Sequence, residues 1–126
     1  MNLILPPQLI EGELYAGIAF RESTPYCHLW MLPDVAAPDT WQHVLDWARG
    51  LHPKMGTEVP DRFESALLYA NLRDHVDQDY WHWTATPYAG DESFAWFQFL
   101  DYGYQDYSPK GNHYRARAVR RVPIGD

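Results

Sequence analysis

"YWHWTATPYAGDESFAWFQFLDYGYQDY", residues 80–107, puts eleven aromatic rings into 28 positions. Aromatic and β-branched residues favour a pleated, half-buried surface, so the stretch reads as strands. "YWHWTAT" (80–86) is one strand and "PYAGDE" (87–92) the loop after it. "SFAWFQFLDYG" (93–103) alternates, with Phe94, Trp96, Gln98 and Leu100 on one face and Ala95, Phe97, Phe99 and Asp101 on the other. Both faces are largely apolar, which predicts a central strand. "YQDYSPKGN" (104–112) carries the chain through a turn at Pro109–Gly111. "HYRARAVRRVPI" (113–124) is the last strand, with Tyr114, Ala116, Ala118 and Arg120 facing one way and Arg115, Arg117, Val119 and Arg121 the other.

Upstream the period changes. "PDTWQHVLDWARG" (38–50) predicts a helix capped by Asp39 or Thr40 and stopped by Gly50. Its Trp41, Val44, Leu45 and Ala48 form one buried stripe. "DRFESALLYANLRDHV" (61–76) predicts a second helix, with Asp61 and Glu64 at capping-box spacing and Phe63, Ala66, Leu67 and Ala70 as its buried face. Before the helices, "GELYAGIAF" (12–20) and "YCHLWMLP" (26–33) read as strands joined by the turn "RESTP" (21–25), the second ending at Pro33. "LHPKMGTEVP" (51–60) is a loop. Strands, two helices and then a cluster of antiparallel strands make an α+β domain.

A chain of 126 residues with ordinary apolar and charged fractions is expected to form one domain with its own core. The single cysteine, Cys27, permits no intramolecular disulfide and reads as a small core residue. A disulfide-free domain, with no basic leader and no membrane-length apolar run, is expected to be cytoplasmic. The net charge is −7, unevenly divided. Residues 1–109 set five cations against sixteen acids, whereas residues 110–126 set five cations against Asp126 alone. A net acidic chain is repelled by nucleic acid and by anionic membrane, and favours a partner with a basic surface.

Several pieces occur in an ordered set: "MLPD" (31–34), "TWQHVLDWA" (40–48), "VPDRFESALLYANL" (59–72), "YWHWT" (80–84), "AWFQFLDYGYQ" (95–105), Lys110 and "RARAVRR" (115–121). From about Tyr15 to Val122 the chain resembles a family of small bacterial and phage domains of unknown function. That family is related to the C-terminal domain of the collagen-like adhesin called Lcl. The resemblance implies a C-type-lectin-like fold, two helices flanking a twisted, mostly antiparallel sheet. It also implies a phage or prophage accessory protein. Two departures stand out. Asp61 replaces the family's threonine before the second helix, and Asp caps equally well. His82–Trp83 replaces two small serines, so Trp83 packs somewhere new or lies exposed.

The resemblance extends to formylglycine-generating enzymes, whose chemistry needs a cysteine pair that this chain lacks. No nucleophile elbow and no H-E-x-x-H motif occurs. No catalytic residue, metal or cofactor is therefore expected. Asp74, His75, Asp77, Asp79 and His82 lack the glycine and terminal glutamate of a calcium loop. The Glu-Pro-Asn, Gln-Pro-Asp and Trp-Asn-Asp signatures of calcium-dependent lectins are also missing, leaving calcium-independent stacking of a glycan on Trp83, Tyr88 or Tyr104 as an alternative. Arg115, Arg117 and Arg121 can meet phosphate, yet pairing with acids such as Asp101 or Glu64 is the expectation, with no direct nucleic-acid binding.

Protein binding suits the aromatic stretch best. Tyr80, Trp81, Phe94, Trp96, Phe97 and Phe99 fall at core-type positions. Trp83, Tyr88, Tyr102, Tyr104 and Tyr107 lie near turns or beside acids, with Asp91, Glu92 and Asp106 among them. Tyrosine and tryptophan anchor interfaces, and carboxylates among them speed encounter with a basic partner. This acidic aromatic surface is the expected partner-binding site. One narrower version is an anti-CRISPR-like inhibitor that occupies the nucleic-acid-binding surface of a host defence complex.

Overall fold

The computed structural model describes residues 10–76, 80–99 and 103–124. Its strands are β1 (Leu14–Arg21), β2 (Thr24–Asp39), β3 (Trp81–Pro87), β4 (Phe94–Phe99), β5 (Tyr104–Pro109) and β6 (Tyr114–Pro123). Its helices are α1 (Trp41–Leu51) and α2 (Arg62–Leu72), each followed by a single 3-10 turn, Pro53–Met55 and Arg73–His75. The six strands form one sheet in the order β1-β2-β6-β3-β4-β5. All neighbours are antiparallel except β3 and β6, whose pairing (His82 with Arg115) is parallel. The fold is α+β. Among the described residues no helix is long and apolar enough to cross a membrane.

Alternation along β2 and β6 supplies two separate cores. Leu32, Ala36, Ala116 and Ala118 join Trp83 and Phe97 beneath Val44, Leu45 and Ala48 of α1. Leu29, Met31 and Val119 point the other way, joining Ala16, Ala19 and Cys27 beneath Leu68 and Leu72 of α2. The helices therefore cover opposite faces of the sheet.

The second strand does not stop at Pro33. It runs on to Asp39, and its ladder with β6 shifts register between Met31 and Val35. Proline has no N–H to give a ladder and is accommodated at such an irregularity. Residues 104–109, expected as part of a turn, form the edge strand β5. At the opposite edge, the β1 ladder shifts register between Tyr15 and Gly17. Gly17 has φ +121°, and a Cβ there would stand 3.2 Å from the Asn71 side-chain nitrogen. That nitrogen donates to the Ala16 carbonyl at 2.6 Å, drawing α2 against β1.

Thr40 occupies the N-cap of α1 without a side-chain cap bond, while the Asp39 carboxylate accepts from the Thr40 N–H and from His43 Nδ1. The capping box of α2 is complete. Asp61 Oδ1 accepts from the N–H groups of Phe63 and Glu64, and Glu64 Oε1 accepts from the Asp61 N–H. Of the expected buried face of α2, only Leu67 packs against the core, half-buried, while Phe63, Ala66 and Ala70 are exposed. Glu64, Ser65, Leu68 and Leu72 are its buried residues, and Phe63 is 70% exposed. Glu64 sets this rotation, because its carboxylate is tied inward to the sheet.

Candidate partner-binding surfaces

The aromatic stretch splits between the two faces of the sheet. Directly opposite residues of an antiparallel pair share a face. Register pairs Trp96 with Tyr107 and Gln98 with Gln105 on the α2 side, and Phe97 with Asp106 and Phe99 with Tyr104 on the α1 side. The residues expected to form one surface therefore form two.

On the α2 side, Tyr88 and Tyr107 stack with centroids 3.8 Å apart and planes 9° from parallel. Trp96 meets both edge-on, and Phe94 packs against Tyr107. The Arg62 guanidinium lies 3.6 Å from the Trp96 ring centroid. Arg62 Nε donates to Gln105, whose amide in turn donates to the Arg62 carbonyl and to Gln98. This network fixes the start of α2 to the sheet edge. Asp91 turns back to accept from the Ser93 N–H and hydroxyl, and those bonds hold its carboxyl below the usual range. Exposed Glu92 accepts from Lys110 through its carbonyl, leaving its carboxylate to solvent.

On the α1 side, Trp81 stacks on Phe97 and meets Phe99 and Tyr114. Tyr80 and Trp81, expected in the core, are instead exposed. Tyr104 is 56% exposed, and its hydroxyl donates to Asp106 at 3.0 Å. Tyr102 lies outside the described residues, as does Asp101.

Trp83 is a correction. It is 1% exposed, packs on Tyr114 and donates its indole N–H to the Asp39 carbonyl at 3.0 Å. It links the sheet to the start of α1 and is not a surface anchor.

The basic last strand is engaged within the fold. Arg117 and Arg120 are buried. Arg117 donates to the Leu32 and His75 carbonyls, and Arg120 donates to both oxygens of Glu13. Arg121 donates to Glu64 at 2.6 and 2.7 Å and to Glu58 at 2.6 Å. Arg115 lies over Tyr80, 3.9 Å from its centroid. The expected pairing with Glu64 is present.

A third surface carries the α2 stripe that the sequence predicts to be buried. Between β1 and α2 runs a groove of about 400 Å³, lined by Ile18, Phe20, Phe63, Ala66, Leu67 and Ala70 over a floor of Tyr26 and Glu64. Leaving Phe63 in water forgoes about 1.5–3 kcal/mol relative to burying it. The floor's polar atoms already serve each other, since the Tyr26 hydroxyl donates to Glu64 at 2.5 Å. A small-molecule site uses convergent polar groups to orient its ligand, and here they are engaged. The 3.6-period stripe at 63, 66, 67 and 70 was visible in sequence, but periodicity does not say whether its cover is internal or external.

Among the described residues no group of three or more His, Cys, Asp or Glu side chains is placed to hold a metal. Asp77 and Asp79 of the acidic loop lie outside the described residues. What the geometry defines is an α+β domain with two aromatic clusters and one uncovered helix face. No family model and no curated protein matches this chain.

Proposed function

We propose that this chain is a non-catalytic binding domain of C-type-lectin-like architecture that engages a protein with a basic surface. The observation that carries this reading is the inward fate of the β6 arginines. With Arg117 and Arg120 buried and Arg121 held by Glu58 and Glu64, the positive end of the sequence is largely withdrawn from solvent. A chain of net charge −7 then presents acids such as Asp91, Glu92 and Asp106 beside rings that can anchor an interface. The Tyr88–Tyr107 stack is the preferred contact, because its rings are already fixed against Trp96 and lose little freedom on binding. Nucleic acid is disfavoured by the same charge. The narrower version, occupation of the nucleic-acid-binding surface of a host defence complex, rests on this charge and on the phage-family resemblance.

The test is affinity capture from lysate of the source cell, comparing wild type with Tyr88→Ala/Tyr107→Ala. A basic protein retained by wild type, released by salt and lost by the folded variant supports the reading. Equal capture by both removes the stack from the interface. A captured complex that still binds its nucleic acid removes the narrower version. The second reading, calcium-independent glycan binding, rests on the exposed rings of Trp81 and Tyr104. A glycan array without signal excludes it.

A further inference from the structure

The α2 face has a shape that matches itself. Its bulky end carries Phe20, 55% exposed, and Phe63. Its slim end carries Ala70, and Gly17 lies there beside Leu67 and Asn71. We propose that a second copy of this chain covers this face, with the two α2 helices antiparallel about a two-fold axis between Ala66 and Leu67. In that arrangement position 63 of one copy faces position 70 of the other, and position 66 faces 67. Both pairings set a large side chain against a small one, Phe63 against Ala70 and Leu67 against Ala66. An isologous contact requires this kind of self-complementarity. The protruding phenylalanines of each copy then enter the groove of the other.

Charge points to the same occupant. The chain's net charge of −7 opposes self-association over most of its surface. Around this face both signs are mixed, with Arg21, Glu22 and Asp61 beside Phe20 and Phe63, and Arg73 and Asp74 after the helix. Arg21 and Asp61, paired at 3.3 Å, sit at the bulky end, and Arg73 and Asp74 follow the slim end. Antiparallel packing sets one mixed pair against the other and opposes the two helix dipoles. A basic partner gains little from a patch of mixed charge, so this surface is separate from the acidic aromatic one, and the inference stands without that reading.

The experiment is light scattering of the full chain through the micromolar range, followed by cysteine cross-linking. Wild type is expected at twice the chain mass. Phe63→Lys, at an exposed position, is expected to keep its circular dichroism and to raise the dimer dissociation constant roughly a hundredfold or more, since it carries an unpaired charge into an apolar contact twice per dimer. Ala66→Cys lies beside the axis and is expected to oxidise to a disulfide dimer. Ala70→Cys is not, because it faces position 63 of the other copy, about 10 Å along the helix from that copy's own position 70. Buried Cys27 takes no part. A monomeric wild type throughout, a Phe63→Lys dimer of unchanged strength, or equal cross-linking at 66 and 70 each overturns the proposal.

Discussion

Arg121 on the last strand grips Glu64 in the first turn of α2 through both carboxylate oxygens, at 2.6 and 2.7 Å. One carboxylate thereby closes the capping box, receives the Tyr26 hydroxyl and fixes the helix to the sheet. It also decides which stripe of α2 is left outside. Removing one partner of such a pair leaves a charge without compensation, which costs about 3–5 kcal/mol. Arg121 keeps Glu58, so Glu64→Ala is expected to lose about 3 kcal/mol, the lower end of that range. Urea denaturation measures it. A loss below about 1 kcal/mol, the scale of an exposed pair, removes Glu64 from this role.

The same carboxylate contributes to the acid limit of the fold. Burial alone raises the Glu64 carboxyl, but the Arg121 hydrogen bonds and charge, the Tyr26 hydroxyl and the Asp61 N–H outweigh it and hold it below its ordinary 4.5. A depressed carboxyl binds its proton later in the folded chain than in the unfolded one. Its stabilisation is present above pH 4.5 and is lost as pH falls through the lower folded value. The melting temperature of wild type is expected to fall below that pH, and Glu64→Gln to flatten the fall. Parallel curves for the two proteins contradict this.

Cys27 works on the alkaline side. Burial, then the Glu64 charge, pushes its thiol up from 9.0 to about 11. The folded chain keeps a proton that the unfolded chain releases near pH 9, so stability is full below that pH and declines towards 11. Native protein at pH 8 is expected to react with a thiol reagent only slowly, and to react promptly in urea. Fast labelling of the native chain rules out this environment for the thiol.

Local chemistry was the more legible part of the sequence. The Asp61–Glu64 capping box, the α1 stripe and the alternation of β4 each depend on near neighbours, and each folds as its spacing implies. Pro33 misled because a proline stops a strand only where a ladder N–H is needed, and β2 shifts register there. The α2 face misled because a capping glutamate can also be a buried ion-pair partner, and its partner lies 57 residues away. Trp83 and the tyrosines at 88, 102, 104 and 107 are expected on one surface, but residues 104–112 are expected to carry a turn, so the alternation of Tyr104 and Tyr107 to opposite faces stays hidden. Trp83 could not be placed from sequence, since its cover, α1, comes from a distant segment.

Trp83 now predicts a folding defect and no separate binding defect. Truncating a buried tryptophan costs about 3–5 kcal/mol. Trp83→Ala is expected to lower the urea midpoint sharply and to lose partner capture only in proportion to unfolding. Trp83→Phe keeps most of the packing and gives up the bond to the Asp39 carbonyl, so a loss of about 1 kcal/mol is expected. A fully stable Trp83→Ala that still fails to capture a partner contradicts the buried placement.

Gly90 offers a gentler probe of the Tyr88–Tyr107 stack than removing a ring. A Cβ at Gly90 would stand 2.6 to 2.9 Å from the outer atoms of the Tyr88 ring, so Gly90→Ala has to displace that ring. The ring sits at the end of a flexible side chain in a surface loop, so the backbone need not follow. Moving a ring stacked on Tyr107 and set edge-on to Trp96 is expected to cost about 0.5–1.5 kcal/mol, the worth of an aromatic pair. The near-ultraviolet circular dichroism of the coupled rings is expected to change. If the stack is the contact, partner capture by Gly90→Ala falls with that signal, as in Tyr88→Ala. Capture at the wild-type level, with the ring signal altered, moves the interface to Trp81 and Tyr104 on the other face of the sheet.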